Sequence, residues 1–175
     1  YPDAPPLPAV VGYEVAGVVT ARGQGVHGFA AGDRVMAATR FNGYAEKVAV
    51  DARNVVPLPG QMSFEEGAAV PVNYATAWTA LVRYGSLQSG ERVLVHAAAG
   101  GVGLAAVQVA QRRGADVLAT AGSEAKRDLL RGLGVTHVFD SRSVGFADEV
   151  LTATDGHGAD VVLNSLSGEL IDEGL

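Results

Sequence analysis

Hydrophobic and polar positions follow two different patterns along the 175-residue chain. In the first part, apolar and β-branched runs are separated by Gly, Asn and Asp turns, which is typical of short strands. The predicted strands span residues 10–20, 34–39, 44–50 and 54–56. The sequence Ser63-Phe64-Glu65-Glu66 then fits a helix-initiating capping box. Pro71 should break or kink this helix, and a second helix is predicted over residues 74–84.

From residue 91 onward, strand and helix patterns alternate. The predicted strands span residues 92–96, 116–120, 137–139 and 160–163, and the predicted helices span residues 101–113, 124–131 and 146–151. Such alternation predicts an α/β fold with a parallel sheet and crossover helices. The change of pattern places a domain boundary near Asn73, with one domain over residues 1–72 and another over residues 73–175.

A glycine-rich turn joins the first strand of the second domain to its helix. The stretch VLVHAAAGGVGLAAVQVA spans residues 93–110. It predicts a dinucleotide site, because a strand, a glycine turn and a helix N-terminus together can cradle a pyrophosphate. Ala98 stands where the first glycine of the usual motif would be, with Gly100 and Gly103 in the second and third places. The alternative interpretation is a tight turn without a ligand.

The end of the next strand indicates which dinucleotide is bound. An acidic residue there typically binds the ribose 2′-hydroxyl of NAD, but residues 119–122 read Ala-Thr-Ala-Gly. Glu124 follows the predicted N-cap Ser123, where the helix dipole explains an acid. Lys126, Ser141 and Arg142 supply cations and a donor for a 2′-phosphate, which favours NADPH over NADH. The alternative is that Lys126 and Arg142 are solvated surface charges.

Composition excludes several other classes. The chain is 48% hydrophobic and 18% charged with a net charge of -6, so no basic field attracts nucleic acid. No apolar run approaches the ~20 residues of a membrane span, and no signal peptide is recognisable, so the default expectation is a cytoplasmic protein. Both ends look cut, which predicts an internal fragment of a longer polypeptide.

Other catalytic chemistries have no matching residues. The four histidines are far apart, and there is no cysteine, so no metal site is expected. A Tyr/Lys pair four residues apart and a G-x-S-x-G elbow are both missing. Hydride transfer involving a nicotinamide cofactor is therefore the predicted reaction.

These motifs resemble the zinc-independent branch of the medium-chain dehydrogenase/reductases, which includes quinone oxidoreductases and the enoyl reductase domains of polyketide and fatty-acid synthases. The matching pieces are GYEVAGVV (12–19), AGDRVM (31–36), PVNYATAWTAL (71–81), HAAAGGVG (96–103) and DVVLNSLSGE (160–169). Zinc-dependent members carry Gly-His-Glu where this chain has Gly12-Tyr13-Glu14. The resemblance implies a GroES-like substrate domain, here partial, followed by a partial Rossmann-type NADPH-binding domain.

The resemblance also assigns roles to individual residues. It implies a pyrophosphate cradle made by four residues of the turn, Gly100, Gly101, Val102 and Gly103. It further implies a 2′-phosphate pocket at Lys126, Ser141 and Arg142, a nicotinamide contact at Thr76 and a ribose contact at Asn164. Tyr1 matches a tyrosine that lines the substrate pocket in relatives, where it orients the acceptor or delivers a proton, or else it is a frayed terminus. The lysine proton donor of synthase enoyl reductases would lie beyond Leu175.

The implied activity is hydride transfer from NADPH to the activated C=C of an enoyl thioester or enone, or to a quinone. A domain of a multidomain synthase acting on a carrier-bound acyl group, and a free-standing enzyme acting on a small molecule, both fit, as does a homodimer. A different class also stays open: some relatives bind NADPH and serve a non-catalytic structural or membrane-associated role.

Overall fold

A computed structural model describes residues 5–143 and 145–165 of the chain. The chain divides into two compact units, Tyr1–Val72 and Asn73–Leu175. Within the described residues, the first unit contains an antiparallel sheet and the second a parallel sheet flanked by helices. The predicted α/β fold with a β-rich first part is therefore confirmed. None of the helices in the described part combines the length and apolar character that crossing a membrane requires.

The first unit is built on three short strands: β1 (Glu14–Val18), β2 (Arg34–Ala38) and β3 (Val55–Pro57). They form an antiparallel sheet in the order β1-β2-β3, with Ala16 opposite Met36 and Met36 opposite Val56. β1 is shorter than the predicted 10–20 because Gly12 interrupts it. Gly12 has a φ of +108°, and a Cβ there would lie 2.8 Å from the Cα of Gly43, so this close approach favours glycine.

The predicted strand over residues 44–50 is wrong. This segment consists of bends and irregular backbone. Its β-branched residues suit an extended chain, but a strand also requires a hydrogen-bonded neighbour, and no ladder reaches this segment within the described residues. The N–H of Tyr44 instead donates to the carbonyl of Val11 at 2.9 Å. Together with β1, residues 45–50 line a cavity of about 520 Å³.

Two short helices follow the sheet, α1 (Phe64–Ala68) and α2 (Pro71–Trp78). The predicted capping box is confirmed: Ser63 Oγ accepts from the N–H of Glu66 at 3.1 Å, and the Glu66 carboxylate accepts from the N–H of Ser63 at 2.7 Å. Pro71 separates the helices by starting α2, a position where its missing N–H has no intrahelical partner to lose. α2 continues into a π-helical segment, Thr79–Tyr84, so the predicted 74–84 helix starts earlier and is not uniform.

The second unit alternates strands and helices as predicted, with end points shifted by at most a few residues. Its elements are β4 (Arg92–Val95), α3 (Gly101–Arg112), β5 (Asp116–Ala121), α4 (Glu124–Gly132), β6 (His137–Asp140), α5 (Phe146–Ala153) and β7 (Val161–Leu163). The strands are parallel in the order β6-β5-β4-β7. The chain thus builds outward from β4 to β6 and then returns to the other side of β4. Ligands of such sheets bind at the carboxyl ends of the strands where this reversal occurs.

Both faces of the parallel sheet are covered. Val93 and Val95 of β4 point into the larger core with Val107 of α3, whereas Leu94 points into the smaller core with Phe146 of α5. Alternate residues of a strand face opposite sides of the sheet, so a continuous apolar run suits a strand buried on both faces. Each of these fully buried side chains stabilises the fold by about 1.5–3 kcal/mol relative to an exposed one. This packing fixes the strand ends that carry the candidate site.

Candidate functional site

The glycine turn, residues 96–103, lies at the carboxyl end of β4. The N–H of Ala98 donates to the carbonyl of Thr120 on β5 at 3.0 Å, and the N–H of Gly100 donates back to the carbonyl of Ala97 at 2.9 Å. Ala97 has a φ of 49°, in the left-handed region that non-glycine residues rarely adopt. These bonds fold the backbone tightly between β4 and the first turn of α3.

Gly103 must be glycine because α3 packs directly on the turn. A Cβ at Gly103 would lie 2.6 Å from the Cα of Ala98 and would also meet the carbonyl of Ala97. Gly101 is similarly crowded: a Cβ there would lie 2.7 Å from Oδ1 of Asn73 on α2. The two glycines allow backbone and side chains to approach more closely than any other residue would.

The start of α3 fits the pyrophosphate of a dinucleotide. Gly100 is the N-cap and has no side chain with which to cap the helix. The N–H groups of the first turn, at Gly101, Val102 and Gly103, have no partner within the helix. They point away from its N-terminus, where the helix dipole also favours an anion by about 0.3–1 kcal/mol. The structure therefore brings the four predicted turn residues together in a cradle without bulky side chains.

The end of β5 carries a second set of predicted residues, Gly122, Ser141 and Arg142, which we call the arginine edge. A Cβ at Gly122 would lie 3.1 Å from Nε of Arg142 and 3.4 Å from Oγ of Ser141. The segment after β6 therefore places a guanidinium and a hydroxyl beside the end of β5. Lys126 is exposed on α4, one turn further along the chain. The arginine edge provides the positive charge and donors that a 2′-phosphate requires.

An ion-pair network lies directly behind the arginine edge. Arg127, whose side chain is 15% exposed, pairs with Glu124 at 2.7 Å and with Asp140 at 3.1 Å. Its side-chain hydrogen bond to Glu124, followed by the nearby charge of Asp140, raises the pKa of Arg127. Hydrogen bonds from Arg131 and then Arg127 lower the pKa of Glu124. Glu124 thus stays ionised as the partner of two arginines.

His96 is a buried polar residue at the start of the glycine turn. It is 2% exposed, its Nδ1 lies 3.1 Å from Oγ1 of Thr120, and its ring meets Phe146 edge-on at 5.2 Å between centroids. Nε2 has no hydrogen-bond partner in the described part of the chain. Burial lowers the pKa of His96. His96 is therefore a neutral core imidazole that links β4 to β5.

The other predicted site residues have more limited structural support. Thr76 is exposed on α2, and Asn164 is exposed one residue beyond β7. Tyr1 lies outside the described residues. Ser123 is the N-cap of α4 as predicted, but its side chain makes no capping hydrogen bond. The serine pattern alone therefore did not determine the contact.

Sequence reasoning missed Asn73, Arg127 and Asp140. Asn73 contacts the glycine turn through packing between elements distant in sequence. Arg127 and Glu124 stand at the i,i+3 spacing typical of a helix pair, but no local pattern links Arg127 to Asp140 on β6.

The Gly12-Tyr13-Glu14 segment is occupied by contacts within the first unit. The Tyr13 ring packs against Phe41 at 5.1 Å between centroids, and Glu14 accepts a hydrogen bond from the N–H of Val72 at 2.8 Å. Among residues 5–143 and 145–165, no three His, Cys, Asp or Glu side chains are grouped so that they could hold a metal ion.

Comparisons with known proteins agree with this geometry. The Alcohol dehydrogenase GroES-like domain family matches residues 1–74, and the Zinc-binding dehydrogenase family matches residues 101–175. The crystal structure of CurK enoyl reductase superimposes with a TM-score of 0.91 at 44% identity, covering 95% of this chain and 50% of that one. The chain belongs to the medium-chain dehydrogenase/reductase family.

Two Mycobacterium tuberculosis proteins are also similar to this member of the family. A phenolphthiocerol/phthiocerol polyketide synthase is 49% identical over 175 residues, which is 100% of this chain and 8% of that protein. The nucleotide-binding subdomain of the enoylreductase domain of PpsC is 60% identical, with a TM-score of 0.58, over 59% of this chain and 57% of that one. The chain thus spans about half of the solved enoyl reductase and a small part of the curated synthase. The family predicted from the motifs is confirmed.

Proposed function

We propose that this chain forms part of an NADPH-dependent, metal-independent enoyl reductase within a polyketide synthase. The observation that carries the proposal is the combination of the glycine turn and the arginine edge at the ends of the neighbouring strands β4 and β5. The turn fits a pyrophosphate, and the edge fits a 2′-phosphate. The similarity to enoyl reductases of synthases supports the substrate class.

NADPH, rather than NADH, is proposed because β5 ends without a carboxylate. Ala121 and Gly122 occupy the end of that strand, and Arg142 lies beside Gly122. A carboxylate would repel a 2′-phosphate, whereas a guanidinium forms charge-assisted hydrogen bonds with it. Lys126 and Ser141 are the further proposed contacts, and Asn164 is proposed to contact the ribose.

When bound, the dinucleotide supplies hydride to the β-carbon of an activated C=C. In the proposed enzyme, Thr76 lies near the nicotinamide, and Tyr1 orients the acceptor or delivers a proton. Backbone or hydroxyl donors hold the developing enolate oxygen, because charge that forms in the transition state is best stabilised by preorganised donors. Metal independence rests on Tyr13, which stands where zinc-dependent relatives have a histidine.

The proposed domain organisation is a partial GroES-like substrate domain over residues 1–72 and a partial Rossmann-type domain over residues 73–175. The proposed substrate is an acyl group bound to a carrier of the synthase. We further propose a cytoplasmic location and a homodimer.

The experiment is to measure NADPH consumption by the full-length protein with a crotonyl thioester and with a small quinone. We expect the thioester to be reduced preferentially. Preference for the quinone would instead indicate a free-standing redox enzyme. NADPH binding without reduction of either acceptor would favour the non-catalytic class.

Tyr1→Phe tests the proton step separately. The substitution removes only the phenolic hydroxyl, so we expect a lower rate or an altered product stereochemistry. An unchanged rate and product would exclude Tyr1 from the mechanism.

A further inference from the structure

Asp140, the last residue of β6, holds the segment that carries Arg142. Its Oδ1 accepts a hydrogen bond from the backbone N–H of Arg142 at 2.9 Å. Its Oδ2 lies 3.1 Å from NH1 of Arg127. One carboxylate therefore connects the backbone of the arginine edge to a guanidinium on α4.

The same molecule contains a second Asp-x-Arg sequence with a different outcome. At Asp51-Ala52-Arg53, the backbone N–H of Arg53 also donates to Oδ1 of Asp51 at 2.9 Å. There, the Arg53 guanidinium folds back onto the same carboxylate, with NH2 2.6 Å from Oδ2. No other arginine is paired with Asp51 in the described part of the chain. An aspartate with an arginine two residues later can thus capture that arginine's charge.

Arg142 is not captured in this way. Its side chain forms no ion pair with Asp140 among the described residues, and its Nε instead lies beside Gly122. The difference between the two motifs is Arg127, which occupies the Oδ2 atom that Arg53 binds in the first motif.

Arg127 is itself unsuited to binding a ligand. Its Nε and NH2 donate to Glu124 at 3.1 Å and 2.7 Å, and NH1 donates to the carbonyl of Ala121 at 3.0 Å as well as contacting Asp140. All three nitrogens of the guanidinium thus contact protein acceptors, and the side chain is 15% exposed.

We propose that Arg127 is a positioning residue for cofactor selectivity: by occupying Asp140, it keeps the Arg142 guanidinium available to the 2′-phosphate. This inference rests on the proposed function, because it requires a ligand with a 2′-phosphate. Without Arg127, Asp140 would carry an unpaired negative charge beside Arg142 and would capture it, as Asp51 captures Arg53.

The test is to titrate the full-length protein with 2′,5′-ADP and with 5′-AMP, which differ only in the 2′-phosphate. Arg127→Gln should raise the dissociation constant for 2′,5′-ADP about three- to tenfold and leave that for 5′-AMP within about twofold. Arg131→Gln is the matched control. Arg131 lies on the same helix, binds the same Glu124 and is 46% exposed, but its ion pairs are with Glu124 and Asp128. It should leave both constants unchanged.

A double variant separates positioning from general stability. Arg127→Gln/Asp140→Asn loses the same Arg127 contacts but also removes the acid that captures Arg142, while the amide oxygen can still accept from the backbone. We expect it to restore most of the affinity for 2′,5′-ADP. A single variant that folds less well does not obscure this comparison, because the double variant shares the same lost contacts.

Several results would overturn the proposal. Arg127→Gln could behave like Arg131→Gln, weaken both ligands equally, or show no recovery in the double variant. Any of these, in a protein that binds 2′,5′-ADP more tightly than 5′-AMP, overturns the role of Arg127 alone. If the unmodified protein binds both probes equally, the NADPH assignment fails and the role of Arg127 fails with it.

Discussion

The glycine turn and the arginine edge lie at the ends of neighbouring strands, yet they are built from different atoms. The turn is made of backbone: Gly103 packs against Ala98 with no room for a Cβ. The edge is made of side chains, with Arg142 placed beside Gly122 and a network of Arg127 and Asp140 behind it. Backbone recognises the pyrophosphate that all dinucleotides share, whereas charged side chains distinguish one dinucleotide from another. The comparison indicates that affinity and selectivity can be changed separately.

The largest effect is expected at the glycine turn. Gly103→Ala places a Cβ in contact with Ala98, so the turn must shift. We expect a destabilisation of about 1–3 kcal/mol and at least about tenfold weaker binding of both NADPH and NADH. Thermal unfolding and cofactor titration measure the two effects.

Gly132→Ala is the control for that substitution. A Cβ at Gly132 meets no atom within 4 Å, so stability should be unchanged or slightly higher and binding unaffected. Tight binding of both cofactors by Gly103→Ala would show that the turn does not hold the pyrophosphate.

The next largest effect is expected at the arginine edge and should be selective. Arg142→Ala should weaken NADPH binding about tenfold or more, since a hydrogen bond to a charged group contributes about 1.5–3 kcal/mol, and NADH binding should hardly change. Lys126→Ala should act in the same direction but less strongly, because Lys126 is exposed. Arg112→Ala, at the far end of α3, is the control. Equal weakening of both cofactors would refute the distinction between the turn and the edge.

A smaller effect distinguishes a formed side-chain contact from a merely predicted one. Ser63 and Ser123 are both N-cap residues, but only Ser63 makes the capping hydrogen bond. Ser63→Ala should therefore destabilise the protein by about 0.5–2 kcal/mol, and Ser123→Ala by less than about 0.5 kcal/mol. Denaturant unfolding compares the two variants, and equal losses would contradict the difference in capping.

The smallest effect concerns the pH dependence of stability, which should be carried by His96. Burial lowers the pKa of His96 in the folded state, so the unfolded chain binds the proton more readily. Stability should therefore fall as the pH drops below about 6.5, the ordinary value for histidine, and level off below the folded-state pKa. Comparison of unfolding curves with those of His96→Gln should show this loss only in the unmodified protein. A parallel pH dependence in both proteins would remove His96 as its source.

The sequence predicted the turn better than the edge for a physical reason. The strand, the glycines of residues 100–103 and the helix are consecutive, so their pattern is local. Ser141 and Arg142 were also predicted, but the partner that frees Arg142 was not, because Arg127 and Asp140 meet only when α4 packs on the sheet. The failed strand over residues 44–50 has a similar origin: its residues suit a strand, but a ladder depends on a neighbour that local sequence does not specify.

The most direct test of the account is the affinity of the full-length protein for NADPH and NADH, measured by titration under the same salt conditions. If the arginine edge binds a 2′-phosphate, NADPH should bind at least about tenfold more tightly, as one charge-assisted hydrogen bond would provide. Equal affinities, or a preference for NADH, would contradict the central claim that the edge beside Gly122 selects the cofactor.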